Sequence, residues 1–516
     1  MKNRHVRRWS AIALVVLASA GSLTACSSDS SSKSKLTPIT PPREDAVSKP
    51  VITGPVTGGN GKPVLGPGGF DLASVGYTEE EFFQSGTANS YTSAAPLGSD
   101  GVWDMTTAAT APYTTRIVVR RPIDASKFNG TVLVEWLNVS GGLDAGPDWT
   151  YTHVELIRSG YAWVGVSAQS VGIVGGGNAL GAALALKNAD AVRYASLAHP
   201  GDDFSYDMYS QTGAAVWFQN DAVLGGLKPE RVVAVGESQS AFRLTSYVNG
   251  IAPLVDVYDG YLLHSRGAVG ARFREGLVPA DPTFIRNDLN VPVLNFSTET
   301  DLVGRGLGYE RARQDDTDLF RGWEVAGTAH ADAYNLGIGD ADNGDGDGDA
   351  ALFQAMLTPS AAVYGGIISC SSPINTGPHT YVLRSAVVAL NDWIRTGVAP
   401  STRPRIEVAS PTSLALASNG QVLGGIRTPQ VDVPVAVLSG LGQTGNSFCG
   451  LFGTTAPMTV EKYMPQGKTA FTDAWLSSLD EAVTFGAILP ADAEQLRLTV
   501  PYANLGLYHD EPKAPM

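Results

Sequence analysis

The sequence predicts an α/β chain built on a mostly parallel sheet with helices on both faces. Three observations predict it. Short aliphatic and β-branched runs alternate with helical stretches from about residue 113 to residue 400. Those runs are apolar throughout, as strands covered on both faces are. The 516 residues, 43% hydrophobic and 17% charged, suffice to bury one large core.

In chain order, residues 1–25 read as an address. Lys2, Arg4, Arg7 and Arg8 are basic, residues 11–18 are apolar, and Leu23-Thr24-Ala25-Cys26 follows. That is the layout of a secretory signal. A cysteine directly after the small residues resembles a bacterial lipobox. The resemblance implies lipidation at Cys26, export, and a place in the cell envelope. An ordinary signal with a chance cysteine is the alternative, and Arg7-Arg8 fits a twin-arginine signal poorly. Apart from Cys26, only Cys370 and Cys449 remain. An exported protein can join such an even pair as a disulfide, the alternative being two separate buried thiols. Residues 26–50 are rich in Ser, Lys, Thr and Pro and read as a flexible tether.

The alternation of strands and helices marks a core at about 113–400 and weakens beyond it. Gly- and Thr-rich residues 51–112 are expected to wrap the front. Strands are expected at 116–120, 131–137 (TVLVEWL), 161–166, 231–235 (RVVAV), 255–263, 291–296 and 322–325. Helices are expected over 151–159, 207–224, 241–248 and 381–396, with another near 470–485. The segment 381–396 (YVLRSAVVALNDWIRT) is amphipathic, with apolar residues at three- and four-residue steps. After the signal no apolar run is long enough to span a membrane. The net charge of −14 argues against nucleic acid and against electrostatic docking on anionic lipid. The membrane therefore enters only through an anchor at Cys26.

The chemistry-bearing residues lie at the ends of these strands. Gly236-Glu237-Ser238-Gln239-Ser240 stands between RVVAV and the helix from 241. A Gly-x-Ser-x-Gly turn in that context presents a serine nucleophile, and here Ser240 replaces the second glycine. Serine needs a base, and the base needs an orienting carboxylate. After the serine, Asp301 follows the strand 291–296 and His330 follows the strand 322–325. Catalytic groups of open parallel sheets gather at these carboxyl ends. Glu299 competes with Asp301 as the acid. His379 is the chief alternative base, although its place after Gly-Pro also suits a helix start. The expected oxyanion donors are the backbone N–H of Gln239 and that of Val139 or Ser140, in the bend Asn138-Val139-Ser140-Gly141-Gly142. No cofactor is needed. Alternating Asp345, Asp347 and Asp349 form a partial match to a calcium loop, the alternative being a solvated acidic loop. The segment 265–288 is long enough to form part of a lid or acyl pocket.

Several stretches together resemble a poorly characterised bacterial family, the alpha/beta hydrolase domain family. They are Gly76-Tyr77 with EEEFF at 79–83, PYTTRIVVRRP (112–122), FNGTVLVEWLNVSGG (128–142), Asp148-Trp149, GESQSAFRLTSYVN (236–249), VAGTAHAD (325–332) and GGIRTPQVDVP (424–434). The resemblance spans nearly all the chain after the signal, which implies one domain over residues 51–516 with extensions packed at both ends of its core. It implies an α/β-hydrolase fold, a hydrolase, and a native Ser-x-Ser elbow, but no particular substrate. The leading expectation is a serine hydrolase of small-molecule or lipid-like carboxylic esters. Amide, peptide or thioester hydrolysis by the same triad is the near alternative. A non-catalytic cell-surface binding protein is the alternative from a different class.

Overall fold

The computed structural model describes residues 43–66, 69–176, 184–304, 306–444 and 448–499. The expected signal, Cys26 and the expected tether up to residue 42 lie outside the described residues. Val47 and Pro50 are already buried, so the packed chain starts ahead of residue 50.

Nine strands form the central sheet. They are β1 (Val51–Thr53), β2 (Tyr77–Thr92), β3 (Thr106–Pro122), β4 (Thr131–Trp136), β5 (Ala162–Val166), β6 (Arg231–Glu237), β7 (Gly260–His264), β8 (Val293–Thr298) and β9 (Phe320–Val325). Their order is β1-β2-β3-β5-β4-β6-β7-β8-β9. The pairings from β5 to β9 are parallel, and those of β1, β2 and β3 are antiparallel. This is the expected architecture: a mostly parallel sheet with helices on both faces.

Alternate residues of each strand feed two cores, because side chains alternate across a pleated sheet. Leu133, Val233, Val235, Leu262, Leu294, Phe296 and Trp323 enter one core. Val132, Val134, Trp136, Ala234, Tyr261, Leu263 and Val293 enter the other. Helices α1 (Pro147–Arg158), α2 (Ser205–Phe218), α3 (Gln239–Ser246), α4 (Glu299–Val303), α5 (Asp347–Leu357), α6 (His379–Thr396), α7 (Lys468–Phe485) and α8 (Pro490–Thr499) complete the frame. The first core takes Leu156 of α1, Phe353 of α5 and Leu390 and Trp393 of α6. Trp475 of α7 and Leu496 of α8 join the same core, so the C-terminal extension shares it. Tyr209 of α2 and Leu244 of α3 enter the second. Each such large apolar side chain contributes about 1.5–3 kcal/mol. Among the described residues no helix is long and apolar enough to cross a membrane.

The N-terminal segment departs from expectation. Of the residues 51–112 expected to wrap the front, 77–92 and 106–112 lie instead in a long β2–β3 hairpin that ends in the strand expected at 116–120 and widens the sheet. Its buried positions include Glu81, Gln84 and Arg116, so the strand pattern is not apolar enough to see. These charges are satisfied only in the fold. Arg116 meets Asp144 at 2.6 Å and Glu81 at 3.2 Å, and Glu81 also takes Arg193 at 2.5 Å. Removing one member of such a cluster costs about 3–5 kcal/mol. Elsewhere β7 begins only at Gly260; of the expected strand at 255–263, Val255 ends a short helix, Ala252–Val255, and 256–259 connect the two.

Candidate active site

The site is assembled from the carboxyl ends of β6, β8 and β9. Strand β6 is buried throughout and ends at Glu237, and α3 starts immediately after Ser238. Gly236 is required there, since a Cβ would lie 3.0 Å from Leu244 Cδ1 and from Ser240 Cβ. Ser238 sits at φ 57° and ψ −121°. A non-glycine residue in that region costs about 1–3 kcal/mol and persists only where its surroundings hold it. They do: the Ser238 N–H donates to His264 O of β7 at 2.9 Å, and Ser238 O accepts from Phe242 N at 3.1 Å. The turn lifts Ser238 Oγ off the sheet, half-buried at the rim.

His330 and Asp301 meet Ser238. His330 Nε2 lies 2.6 Å from Ser238 Oγ, and His330 Nδ1 lies 2.6 Å from Asp301 Oδ1. Asp301 Oδ2 accepts from Thr298 N at 2.7 Å and from Thr298 Oγ1 at 2.9 Å, so Thr298 both begins α4 and aims the carboxylate. Burial pushes Asp301 up, but His330 and the Thr298 donors outweigh it and hold its carboxyl below the usual range. Burial pulls His330 down, but Glu237 and then Asp301 outweigh it and raise the imidazole to about 9.

The other sequence candidates have different places. Glu299 does not face the histidine. Its Oε1 accepts from Gly327 N at 2.6 Å and its Oε2 from Gly440 N at 2.8 Å. It is a buried staple between the loop carrying His330 and the C-terminal extension. His379 is no base for Ser238 either, since both its nitrogens are engaged. Its Nδ1 lies 3.1 Å from Ala329 O and its Nε2 lies 2.6 Å from His264 Nε2. His264 Nδ1 in turn lies 2.8 Å from Asp148. Burial lowers both histidines and raises Asp148. A neutral chain satisfies every contact: the Asp148 carboxyl donates to His264, His264 donates to His379, and His379 donates to the Ala329 carbonyl. This polar string beneath the His330 loop was not foreseen. His264 and Asp148 are far apart in sequence, and no motif joins them.

In the bend after β4, Asn138 Oδ1 accepts the Ser140 N–H at 2.7 Å. The backbone N–H groups of Val139 and Gln239 have no acceptor among the described residues. Of the two alternatives in the bend, Val139 is therefore the one with an N–H to offer. The side chains of the acidic run at 345–349 have separate surroundings. Asp345 and Asp347 are exposed, Asp349 is buried, and Asp345 Oδ1 caps Asp347 N at 3.0 Å. Among the described residues no group of three His, Cys, Asp or Glu side chains is placed to hold one. Cys370 and Cys449 are joined as a disulfide, with Cα atoms 5.5 Å apart. In the segment 265–288, Arg266 is buried, donating to Thr283 O and lying over Tyr309 at 5.4 Å.

One residue of the site was missed entirely. Glu237, between Gly236 and the serine, is buried with Oε1 3.2 Å from His330 Nε2 and Oε2 3.1 Å from Asn138 Nδ2. A carboxylate beside the nucleophile in the elbow motif was the available signal.

The model of the alpha/beta hydrolase domain family matches residues 52–497. The chain belongs to that family. This alpha/beta hydrolase also has distant likenesses among solved structures. A glucuronoyl esterase from Solibacter usitatus is 12% identical, over 54% of this chain and 74% of that one, with a TM-score of 0.26. Fungal esterases from Rhizomucor miehei give 11%, 49%, 77% and 0.23 in the same order. A serine hydrolase without a lid from Xanthomonas campestris gives 13%, 41%, 78% and 0.23. Identities and scores this low carry nothing about substrate. Among curated proteins none matches the chain.

Proposed function

We propose that this alpha/beta hydrolase is a serine hydrolase of carboxylic esters, working through Ser238, His330 and Asp301. The observation that carries the reading is the relay of two 2.6 Å contacts, Ser238 Oγ to His330 Nε2 and His330 Nδ1 to Asp301 Oδ1. Ser238 Oγ attacks the acyl carbon and its proton passes to His330 Nε2. Asp301 holds the tautomer that receives it and stabilises the imidazolium. The carbonyl oxygen, now an anion, takes the N–H groups of Gln239 and Val139, each such donor being worth about 3–4 kcal/mol in the transition state. His330 returns the proton to the leaving alkoxide. Water then repeats the sequence on the acyl-enzyme and releases the acid.

The test is hydrolysis of a p-nitrophenyl ester series by protein lacking residues 1–26, beside Ser238→Ala. The variant is expected to lose activity by about 10⁴–10⁶-fold. Equal rates would remove Ser238 as nucleophile. Preference for amide or thioester analogues would move the reading to those reactions. Absence of turnover together with absence of labelling by a fluorophosphonate would leave a binding protein.

We also propose export with a lipid anchor at Cys26. The Cys370–Cys449 disulfide supports an oxidising compartment. Metabolic labelling with palmitate is expected to mark the full chain and to vanish in Cys26→Ala; equal labelling of both would reject the anchor.

A further inference from the structure

We propose that Glu237 is a second carboxylate partner of His330, sharing Nε2 with Ser238 and setting the pH at which the hydrolase becomes active. The inference rests on the reading of Ser238 and His330 given above and deepens it.

The geometry is unusual for a serine–histidine pair. The imidazole is flanked by two carboxylates, one on each nitrogen. Asp301 takes Nδ1, as an orienting acid does. Glu237 Oε1 lies 3.2 Å from Nε2, the nitrogen that must receive the serine proton. Ser238 Oγ lies 2.6 Å from that same nitrogen. One N–H cannot point fully at two acceptors, so the two oxygens compete for it.

Glu237 is held for this position. It ends β6, so its backbone is fixed by the sheet. Its other oxygen accepts from Asn138 Nδ2 at 3.1 Å, and Asn138 Nδ2 also lies 3.2 Å from the Glu237 backbone carbonyl. No Lys or Arg pairs with the carboxylate; His330 is its one ion-pair partner among the described residues. A buried carboxylate without a guanidinium or ammonium partner depends on the imidazolium for its charge, and the imidazolium gains from it in turn.

The groups facing this pair come from every element around it. Asp301 of α4 adds negative charge on the far side of the ring. His264 of β7 and His379 of α6 lie close enough to feel His330, and burial holds both neutral. Asp148 and Tyr151 of α1 interact with Glu237 from below. None of these supplies a fixed positive charge. Burial raises the Glu237 carboxyl to about 8, against the pull of His330.

The consequence for the reaction is a trade. Only neutral His330 can take the Ser238 proton, so a stabilised imidazolium delays activity to higher pH. Once it is neutral, the same carboxylate favours the imidazolium formed during attack. The proton count is that of the ordinary triad: one proton leaves Ser238, rests on Nε2 and goes to the leaving alkoxide. Glu237 neither gains nor loses it overall.

The experiment is the pH profile of kcat/KM for the wild type, Glu237→Gln and Glu237→Asp, with one p-nitrophenyl ester. The wild type is expected to rise through an inflection near 9. Glu237→Gln keeps the shape and removes the charge. Its inflection is expected about 1–3 pH units lower, the effect of one opposite charge at this range. Its alkaline plateau is expected to fall. Glu237→Asp keeps the charge one methylene back and is expected between the two. A uniform loss at all pH values with an unmoved inflection would overturn the proposal and leave Glu237 a structural residue. If Glu237→Gln is too slow to assay, the titration of His330 by imidazole nitrogen NMR replaces the rate. The same downward shift supports the proposal, and an unmoved titration overturns it. That titration does not depend on turnover. A wild type without hydrolysis or fluorophosphonate labelling would sink the serine hydrolase, while the NMR still decides the coupling of Glu237 to His330.

Discussion

The elbow at Ser238 and the loop carrying His330 lie a few ångströms apart, yet they are held in different ways. The elbow is made by its own neighbourhood. Strand β6, Gly236, the start of α3 and one hydrogen bond from adjacent β7 account for it. The His330 loop is held from outside. Its Ala331 N–H donates to Leu451 O at 3.1 Å, its Gly327 O accepts from Asn375 at 3.1 Å, and its His330 N–H reaches Thr300 Oγ1 at 3.2 Å. Thr300 Oγ1 in turn donates to Gly440 O at 2.6 Å. Ile426 continues beyond β9, bonded at Glu324 O and Ala326 N. The lesson is that the C-terminal extension is part of the site, although it contributes no reacting group. Strand β6 and its neighbours place Ser238, whereas the loop of His330 leans on Thr300 and Asn375 and, from much further along the chain, on Gly440 and Leu451.

The difference can be broken from the clamp side first. Gly440 packs where a Cβ would lie 2.6 Å from both Thr300 N and Thr328 O. Gly440→Val is therefore expected to push apart the Asp301 and His330 loops. A misplacement near 1 Å costs about 10²-fold in rate. Ester hydrolysis should fall by at least that, while far-ultraviolet circular dichroism stays close to wild type. Unchanged kcat/KM would show that the extension does not position the base.

A milder break is the disulfide, which ties Cys370 to the turn Cys449–Leu451 and so to the carbonyl that holds Ala331. Cys370→Ser with Cys449→Ser is expected to lower stability by about 2–4 kcal/mol, read as a lower Tm, with a few-fold loss of kcat. If Tm is unmoved, this bridge does not brace the clamp.

The smallest effect is expected on the elbow side. Ser240 is fully buried and its Oγ has no hydrogen-bond partner among the described residues. Ser240→Ala removes an unsatisfied hydroxyl and keeps the small volume beside Gly236. Activity should stay within about twofold, and stability should hold or rise slightly. A large loss in the same assays would mean that the second small position of the elbow needs its hydroxyl.

What the sequence by itself determined follows from local pattern. The parallel strands, the elbow and the helix at 381–396 all have a period or a turn signature within a dozen residues. Asp301 and His330 could be singled out as candidates for the same reason, since each sits just beyond a strand whose apolar run could be read. The family resemblance added that the last hundred residues pack onto the domain. What the tertiary structure decided is whatever depends on partners remote in sequence. Of the hairpin β2–β3 only 116–120 could be read as strand; the rest escaped because buried Glu81 and Gln84 look solvent-facing until Arg116, Arg193 and Tyr113 arrive. Glu299 could be told from Asp301 only when Gly327 and Gly440 claimed its oxygens. His379 could be set aside only when His264 and Ala329 occupied its ring. The common physical reason is that a buried polar group is explained by its hydrogen-bond partners, and partnership is a matter of space rather than of sequence distance.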